Sequence, residues 1–409
     1  MLGAGNIASI APLDVLSKLY ADGEVVVCKL NPINDYLGPL FSRAFRPLID
    51  DGFLRFVSGA AEVGSYLCAH PGVHSVHITG SAQTHDVIVY GTGAAGAERK
   101  ARDAPLLTKP ITSELGGVGS TIVVPGPWTD ADLAYQAEHV VTQKLHNSGH
   151  NCIASQVLVL PEFWPQTAEL LAAVRRTLTD VDPRPAYYYS GSEQRREAAI
   201  AHYPQAEVLP AGAASSVLIE GVDSTDSAAY AFTEEFFGPV LATTSLPGAD
   251  AADFLRRAVA FCNDTLHGTL GANIAIHPST AADLGSVLDE AVADLRYGTV
   301  AVNAWTGVGY LTPRATWGAF PGHRLADIGS GMGVVHNALL LNRPQKTVVR
   351  GPFAPFPRSW RGRQFTLAPR PPWFVTNRTA ATTGRRLTRF AADGRMRHLP
   401  GIFAAALRG

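Results

Sequence analysis

The chain has 409 residues, of which 46% are hydrophobic and 17% charged, so it is long enough for two or three packed domains. Its 34 basic and 35 acidic residues leave a formal net charge of −1, which argues against binding to nucleic acid or to an anionic membrane. No apolar run approaches the roughly 18 residues that span a bilayer, and the N-terminus lacks a secretory signal pattern. We therefore expect a cytoplasmic protein that acts on a small molecule.

The first part of the chain alternates helical and strand-like patterns. A helical pattern through Leu13, Leu16 and Leu19 leads into the apolar strand 25–28. The predicted elements that follow are helical segments at 36–49 and 62–69 and strands at 53–57 and 75–79. This alternation predicts a parallel, doubly wound sheet. A stretch rich in Gly, Ala and Arg, 91–102, is predicted to be an exposed loop.

A second α/β region follows, and the chain ends in a tail rich in Pro and Arg. The predicted elements are strands at 120–124 and 155–160, helices at 129–145 and 165–178, and a final helix near 376–389. We expect the tail, from about residue 349, to be a peripheral wrap. We predict a dinucleotide-binding domain at 1–115, a catalytic domain at 116–310, and a return segment, oligomerisation strand and tail at 311–409.

Cys152 is the first candidate for chemistry. The four cysteines are scattered singly, without the paired spacing of a zinc site or the density of a disulfide scaffold, and we predict no metal site. Cys152 lies in a polar, glycine-containing turn between a helix and a strand, where a thiol can be exposed and activated. An isolated cysteine is more often a small buried residue, so the surrounding pattern has to decide.

Two further motifs contain candidate functional residues. Glu114 begins the sequence Glu-Leu-Gly-Gly, in which the glycines allow the backbone to approach a ligand closely. Gly80 and Ser81 follow a predicted strand, and such a turn can hold a pyrophosphate at a helix N-terminus. Taken alone, the glutamate is more often solvated or a helix cap, and Gly-Ser turns are common in α/β proteins.

Together these motifs resemble those of the aldehyde dehydrogenase family, and they occur in that family's order. They are Asn6, the strand that ends at Lys29, Ile-Thr-Gly-Ser at 78–81, Glu-Leu-Gly-Gly at 114–117, Gly-His-Asn-Cys at 149–152 and Glu-Phe-Phe-Gly-Pro-Val at 235–240. The resemblance extends from about residue 3 to about residue 350. It implies an α/β fold, with a doubly wound Rossmann-like cofactor domain, an α/β catalytic domain and a peripheral C-terminal extension.

The resemblance also implies a reaction and the residues that perform it. Cys152 would attack an aldehyde, and the oxyanion would be held by the Asn6 side chain and the Cys152 amide. Hydride transfer to NAD or NADP would leave a thioester, which water activated by Glu114 would hydrolyse to the acid. A homodimer or homotetramer is implied as well.

The implied cofactor contacts come from both regions of the chain. Lys29 and Glu235 would hydrogen-bond the two ribose hydroxyl pairs. Gly80 and Ser81 would lie at the pyrophosphate, and Phe237 near the nicotinamide ribose. From the residues alone, Lys29 could equally be a solvated cation. Phe237 could equally be an ordinary residue of the hydrophobic core.

The sequence departs from the family pattern at several positions. His150 stands where Gln is common, residues 82–85 lack a further glycine, and segment 84–112 is longer than usual. Pro32 replaces a Glu that binds the adenosine 2′-hydroxyl in many NAD-preferring members, which leaves NADP open. Family members also carry a long segment before the counterpart of Asn6, so the chain resembles an N-terminally short member, either a fragment or a remnant with impaired folding.

Two alternatives to a hydrolytic enzyme remain. One is a non-catalytic member that retains a dinucleotide cleft or an interaction surface, and the other is an acylating dehydrogenase that passes the thioester to coenzyme A. Retention of Asn6, Glu114 and Cys152 favours the enzyme, and Glu114 favours hydrolysis. The sequence does not specify the aldehyde. The aromatic candidates could equally be walls of a substrate pocket or core residues, and they are Trp128, Trp305 and Trp317.

Overall fold

The structure, a computed structural model, describes residues 1–181, 187–211, 214–312, 314–361, 364, 366 and 368–409. Arg363, one of the arginines of the predicted tail, lies outside the described residues. The α-helices are α1 Ile10–Tyr20, α2 Gly38–Ala44, α3 Arg46–Asp50, α4 Ala61–Ala69, α5 Ala82–Tyr90, α6 Gly93–Ala101, α7 Asp130–Leu145, α8 Thr167–Asp180, α9 Ser192–His202, α10 Tyr230–Thr233, α11 Ala251–Asp264, α12 Pro278–Leu284, α13 Ser286–Asp294, α14 Thr306–Tyr310, α15 Arg358–Arg361, α16 Ala380–Asp393 and α17 Leu399–Ala406. The 3-10 turns are Pro32–Leu37, His146–Gly149 and Met396–His398.

The β-strands form two parallel-rich sheets. They are β1 Val26–Lys29, β2 Leu54–Val57, β3 Val76–Gly80, β4 Ile111–Leu115, β5 Gly119–Val123, β6 Ser155–Pro161, β7 Glu207–Ala211, β8 Ala214–Ile219, β9 Val240–Leu246, β10 Gly271–Ala275, β11 Thr299–Val302, β12 Gly331–Met332 and β13 Thr347–Arg350. In the first sheet β2 pairs with β1, and β3 pairs with β4, all in parallel. Leu2 bridges β1 and β3, and the short β12 adds to β4 in the antiparallel sense.

The second sheet has eight strands in the order β13-β11-β10-β5-β6-β9-β8-β7. Every neighbouring pair is parallel except the edge pair β7 and β8. Strands β5 and β6 are buried along their whole length, as expected for parallel strands covered by helices on both faces. The chain passes from the first sheet to the second between β4 and β5, which places Glu114 at the junction. The unit bounds 1–115, 116–310 and 311–409 stay a prediction.

Helix α7 positions the cysteine turn, and its ends follow from its sequence. Thr129 caps its N-terminus in a capping box, since its hydroxyl accepts from the Asp132 amide and the Asp132 carboxylate accepts from the Thr129 amide. Twelve of its sixteen residues are buried, so the helix lies inside the second region. Its last residue, Leu145, leads directly into the turn before Cys152.

The prediction of an exposed loop at 91–102 is wrong. Helix α6 occupies most of that segment, and the 9-residue helix α5 precedes it. Gly96 allows α6 to pack against the carbonyl of Gly91, because a Cβ at Gly96 would lie 2.2 Å from that oxygen. Alanine-rich sequence favours helix, and the glycines that suggested a loop provide close packing instead.

The C-terminal segment lies along α7. Gln136 donates to the carbonyl of Phe353, and the carboxylate of Glu138 pairs with Arg370. Phe353 is buried against Trp128, so Trp128 belongs to the core. The predicted helix near 376–389 is present as α16, four residues later. None of the helices in the described part of the chain is long and apolar enough to cross a membrane.

Candidate active site

The turn that carries Cys152 is held in an unusual backbone conformation. We name residues 146–154, between α7 and β6, the cysteine loop. Asn147 and Ser148 have φ angles of 53° and 55°, in the left-handed region that non-glycine residues rarely adopt. Such strain persists only where the surrounding structure enforces it, and it is common at functional sites. Cys152 is half-buried, whereas the other three cysteines are buried.

Gly149 brings the cysteine loop against the Glu-Phe-Phe-Gly-Pro-Val motif. Its φ is 82°, and a Cβ there would lie 2.3 Å from the carbonyl oxygen of Gly238. Only glycine fits this position, because both the backbone conformation and the close approach exclude a side chain. Two motifs that are far apart in the sequence therefore meet beside the thiol.

Asn6 reaches the same loop from the N-terminal region. Its side-chain Nδ2 donates to the backbone carbonyl of His150 at 3.0 Å, across 144 residues of sequence. Its own backbone carbonyl accepts from Asn147 and from the Tyr188 hydroxyl, both at 2.9 Å. A primary amide has two N–H groups, so one N–H of Asn6 remains for a ligand.

Glu114 is buried at the end of β4 and is held by a tryptophan. The indole Nε1 of Trp317 donates to its Oε1 at 2.6 Å, and no residue in the described part of the chain forms a hydrogen bond with its Oε2. Burial, and then the charge of Asp14, raise the pKa of Glu114 well above its usual range, against the opposing effect of the Trp317 bond. A carboxyl with a raised pKa and a free oxygen is suited to accept a proton near neutral pH.

The Cys152 thiol shares this environment. Burial, and then the charges of Glu114 and Glu235, raise its pKa. The thiol therefore rests in its neutral form and needs a base to become nucleophilic. Cys152 also packs against an apolar cluster that consists of Ile153, Leu270, Trp305, Trp317 and Val335. Trp305 and Trp317 thus border the site, and both are buried.

Glu235 lies on the glycines of the Glu-Leu-Gly-Gly motif. A Cβ on Gly116 would come within 2.2 Å of its Oε1, and its carboxylate accepts from the Gly117 amide. Burial raises the pKa of Glu235 to about 7, although Lys144 opposes the shift. Lys144 is 1% exposed, and burial lowers its pKa to about 7. The Lys144 amine and the Glu235 carboxyl thus lie near enough to influence each other's pKa. No described residue forms a hydrogen bond with Glu235 Oε1.

His150 and Phe237 form an aromatic group beside Glu235. The Nε2 of His150 lies 2.7 Å from the Ser192 hydroxyl, within hydrogen-bond distance. Burial lowers the pKa of His150 to about 4, which keeps the ring neutral. Its ring centroid is 5.7 Å from that of Phe237, and Tyr189 packs on Phe237 at 5.0 Å.

Lys29 and the Gly80-Ser81 turn lie at the carboxyl edge of the first sheet. They end β1 and β3, which Leu2 connects, and ligands of open α/β sheets bind at this edge. The Ser81 hydroxyl caps α5 by accepting from the Thr84 amide. Lys29 is 9% exposed and burial lowers its pKa. No hydrogen bond of its amine to a described residue is found, which fits a group that awaits a ligand.

The structure therefore brings together Asn6, Glu114 and Cys152, with Glu235 and Phe237 at the adjoining junction. Lys29, Gly80 and Ser81 lie together at the edge of the first sheet. The sequence alone does not identify Trp317 as the partner of Glu114 or Asp14 as a buried neighbour. Asp14 and Lys18, four residues apart on α1, were a detectable signal, because such a pair lies on one helix face.

Comparisons with known proteins agree with this arrangement. The model of the aldehyde dehydrogenase family matches residues 15–333. A 1-pyrroline-5-carboxylate dehydrogenase of Bacillus pumilus is 28% identical over 54% of this chain and 43% of its own length. A coniferyl aldehyde dehydrogenase of a Pseudomonas species is 25% identical, over 60% of this chain and 51% of its own. The chain spans about half the length of these curated relatives.

A solved structure supports the fold. The aldehyde dehydrogenase of Mycobacterium tuberculosis, complexed with NAD+, superposes with a TM-score of 0.61 at 22% identity, over 83% of this chain and 66% of that one. The α/β fold class predicted from the motifs is thereby confirmed. The chain belongs to the aldehyde dehydrogenase family, as the order of its motifs predicted.

Proposed function

We propose that this protein oxidises an aldehyde to a carboxylic acid through a thioester on Cys152, with NAD+ or NADP+ as hydride acceptor. The observation that carries the proposal is the convergence of Cys152, Glu114 and Asn6, which come from different elements, on one site. The family and its relatives, which are named for aldehyde substrates, support the same reaction.

Glu114 is the proposed base. Its unpaired Oε2 is free to accept a proton, and its raised pKa suits it to hold that proton near neutral pH. The neutral thiol of Cys152 passes its proton to a water molecule as sulfur attacks the carbonyl carbon. Glu114 then activates the water that cleaves the thioester, and this role favours hydrolysis over transfer to coenzyme A.

The oxyanion formed by attack needs two donors. The second N–H of the Asn6 amide and the backbone amide of Cys152 are the proposed pair. The hydrogen bond from Asn6 to the His150 carbonyl fixes the amide relative to the loop, so its orientation does not have to be acquired during the reaction.

The cofactor supplies the hydride acceptor when it is bound. Lys29, Gly80 and Ser81 would hold its adenosine and pyrophosphate half, and Glu235 and Phe237 its nicotinamide ribose. The fit rests on two groups: the buried Lys29 amine and the Glu235 Oε1, which has no hydrogen-bond partner. Solved relatives in complex with NAD+ support NAD+, and Pro32 leaves NADP+ open because no carboxylate repels a 2′-phosphate there.

We also propose a homo-oligomer in the cytoplasm. Strand β13 is an edge of the eight-stranded sheet and presents the half-exposed Val348, and an edge strand is a template for pairing with a second chain. Light scattering on the purified protein tests the assembly.

Aldehyde-dependent reduction of NAD+ and NADP+, followed by absorbance over a panel of aldehydes, tests the proposed reaction. Wild type should reduce at least one of the two cofactors, and Cys152→Ala should abolish the reduction. Cys68→Ala is the matched control, because Cys68 lies in a separate apolar cluster of the first region. A wild type that is folded but inactive on all aldehydes, or an active Cys152→Ala variant, would overturn the proposal.

A further inference from the structure

A line of polar side chains crosses the first sheet, starting at Glu114. In the parallel register of β3 and β4, Thr79 lies opposite Glu114, and His77 lies opposite Thr112. Because side chains two residues apart in a strand share a face, all four lie on one side of the sheet. Such a face would ordinarily be apolar where a helix covers it, and here α1 covers it.

Helix α1 presents two charged residues to this line. Asp14 and Lys18 are one helical turn apart, and their exposed fractions are 0% and 9%. We name the six residues the polar stripe: Glu114, Asp14, Thr79, His77, Thr112 and Lys18. Buried charges are costly unless they are paired or functional. The burial of charged side chains in the stripe therefore needs a structural or functional explanation.

Consecutive contacts join the members of the stripe from Asp14 to Lys18. The Thr79 hydroxyl donates to Asp14 Oδ2 at 2.8 Å and lies 3.3 Å from His77 Nε2. His77 Nδ1 lies 2.8 Å from the Thr112 hydroxyl, to which Lys18 donates at 3.2 Å. The chain of contacts is therefore continuous from Asp14 to Lys18.

The outer end of the stripe reaches the surface. Lys18 donates to Asp22, whose side chain is 41% exposed, at 2.7 Å. Lys18, Glu24 and His77 also line a surface cavity of about 360 Å³. A proton that arrives at His77 is thus next to a compartment open to solvent.

The inner end of the stripe consists of Glu114, the proposed base, and Asp14. Asp14 Oδ1 and Glu114 Oε2 are both buried, and neither forms a hydrogen bond with a described residue. The Asp14 charge contributes to the raised pKa of Glu114, which indicates that the two carboxylates lie near each other. The other titratable groups at Asp14 are His336, with Nε2 3.8 Å from Oδ1, and Tyr310, whose ring packs on His336.

We propose that the polar stripe is a proton path that carries protons from Glu114 through Asp14, Thr79, His77 and Thr112 to the surface cavity. The proposal rests on the proposed function, in which Glu114 takes a proton from the water that cleaves the thioester. Oxidation of an aldehyde by NAD(P)+ and water yields the carboxylate, NAD(P)H and two protons, so Glu114 has to be deprotonated during each turnover.

The transfers conserve atoms and charge. The Glu114 proton passes to the Asp14 carboxylate. Asp14 then gives a proton to the Thr79 oxygen, and at the same time the Thr79 hydroxyl gives its own proton to His77 Nε2. His77 releases its Nδ1 proton to Thr112, whose own proton leaves to solvent. A neutral imidazole accepts at one nitrogen and donates at the other. Rotation of the two hydroxyls resets Thr79 and Thr112, and His77 returns to its starting tautomer by exchanging protons with the surface cavity that it lines.

The test uses paired variants that keep or remove one hydroxyl. Thr112→Val retains the shape of the side chain without the hydroxyl, and Thr112→Ser retains the hydroxyl. Stopped-flow measurements on the whole protein would follow the first turnover of NAD(P)H formation by absorbance, and proton release by a pH indicator. His77→Ala, with and without added imidazole as a small proton carrier, completes the set.

We expect all variants to form NAD(P)H in the first turnover at the wild-type rate. In Thr112→Val and His77→Ala, proton release and steady-state turnover should fall roughly tenfold, because a proton carrier in a general acid–base step contributes that much or more. Thr112→Ser should match wild type, and imidazole should restore His77→Ala, which the loss of a merely structural side chain would not allow.

The possible failures are distinct. One outcome is that every variant gives a first-turnover signal and that Thr112→Val and Thr112→Ser have equal steady-state rates. This outcome would overturn the proton path and leave the proposed function intact. Slow turnover in His77→Ala that imidazole does not restore would likewise contradict it. Absence of NAD(P)H formation in wild type with every aldehyde would overturn both proposals.

Discussion

The indole Nε1 of Trp317 donates to Glu114 Oε1 at 2.6 Å, in a part of the molecule from which solvent is excluded. This bond joins the return segment of the chain to the end of β4. It fixes one carboxylate oxygen and leaves the other free. Because the donor stabilises the charged form, it also limits how far burial raises the pKa of Glu114.

Trp317→Phe should therefore slow thioester hydrolysis. Loss of the donor raises the pKa of Glu114 further, so less of the base is ionised at neutral pH. We expect roughly a tenfold fall in steady-state turnover, the effect of about one charge-assisted hydrogen bond. The acid limb of the pH–kcat profile should move upward by roughly one unit. Trp305→Phe is the control, since its buried Nε1 has no hydrogen-bond partner. Equal profiles for the two variants would refute this role.

Gly149→Ala should destabilise the protein strongly. A left-handed conformation costs a residue with a Cβ about 1–2 kcal/mol, and the new Cβ would overlap the Gly238 carbonyl. We expect a total loss of about 3 kcal/mol or more, measured by urea denaturation. Gly221→Ala, with a φ of 68° and open space around it, should lose only about 1 kcal/mol. Similar losses at both positions would contradict the close contact between the motifs.

His139 should make the fold sensitive to acid. It is buried in α7, and burial lowers its pKa to about 3 from an ordinary value near 6.5. Below about pH 6.5 the unfolded chain binds a proton there that the folded chain does not, so stability falls as pH falls toward 3. Between pH 7.5 and 4.5 this histidine should remove about 2–3 kcal/mol. The loss over that range should be correspondingly smaller in His139→Gln, and unchanged in the exposed control His74→Gln.

Pro32→Glu should shift the choice of cofactor toward NAD+. Pro32 is exposed and begins the 3-10 turn after β1, so a glutamate fits there without disturbing the core. Its carboxylate would repel a 2′-phosphate, and we expect the KM for NADP+ to rise roughly tenfold, about 1.4 kcal/mol. The KM for NAD+ should change little. Pro32→Ser removes the proline without adding charge and should leave the ratio of the two KM values near that of wild type.

Much of the fold could be predicted from patterns within short stretches of the sequence. Short apolar runs located β1, β3, β5 and β6, because a strand that helices cover needs that composition wherever it lies. The segment 91–102 was misassigned, because glycine is a common loop signal. Gly96 instead allows close packing against the Gly91 carbonyl, which only the three-dimensional structure reveals.

The candidate site was predictable to the extent that motifs specify it. Asn6, Glu114 and Cys152 were chosen by motif order, and the structure brings them together. The partner of Glu114 was not predictable, because Trp317 is 203 residues away and nothing local distinguishes it from Trp128, which is core. The polar stripe has a local signature in His77 and Thr79 and in Thr112 and Glu114, each pair two residues apart, but the pairing of their strands gives it meaning.

The most direct test of the central claim is the intact mass of Glu114→Gln after incubation with NAD+ or NADP+ and an aldehyde that wild type oxidises. This variant lacks the proposed water-activating base, so the thioester should accumulate. The account predicts a mass increase of one acyl group, mapped by peptide digestion to Cys152 and absent from the double variant with Cys152→Ala. A folded Glu114→Gln protein that reduces the cofactor but carries no acyl group, or carries it on another residue, would contradict the account.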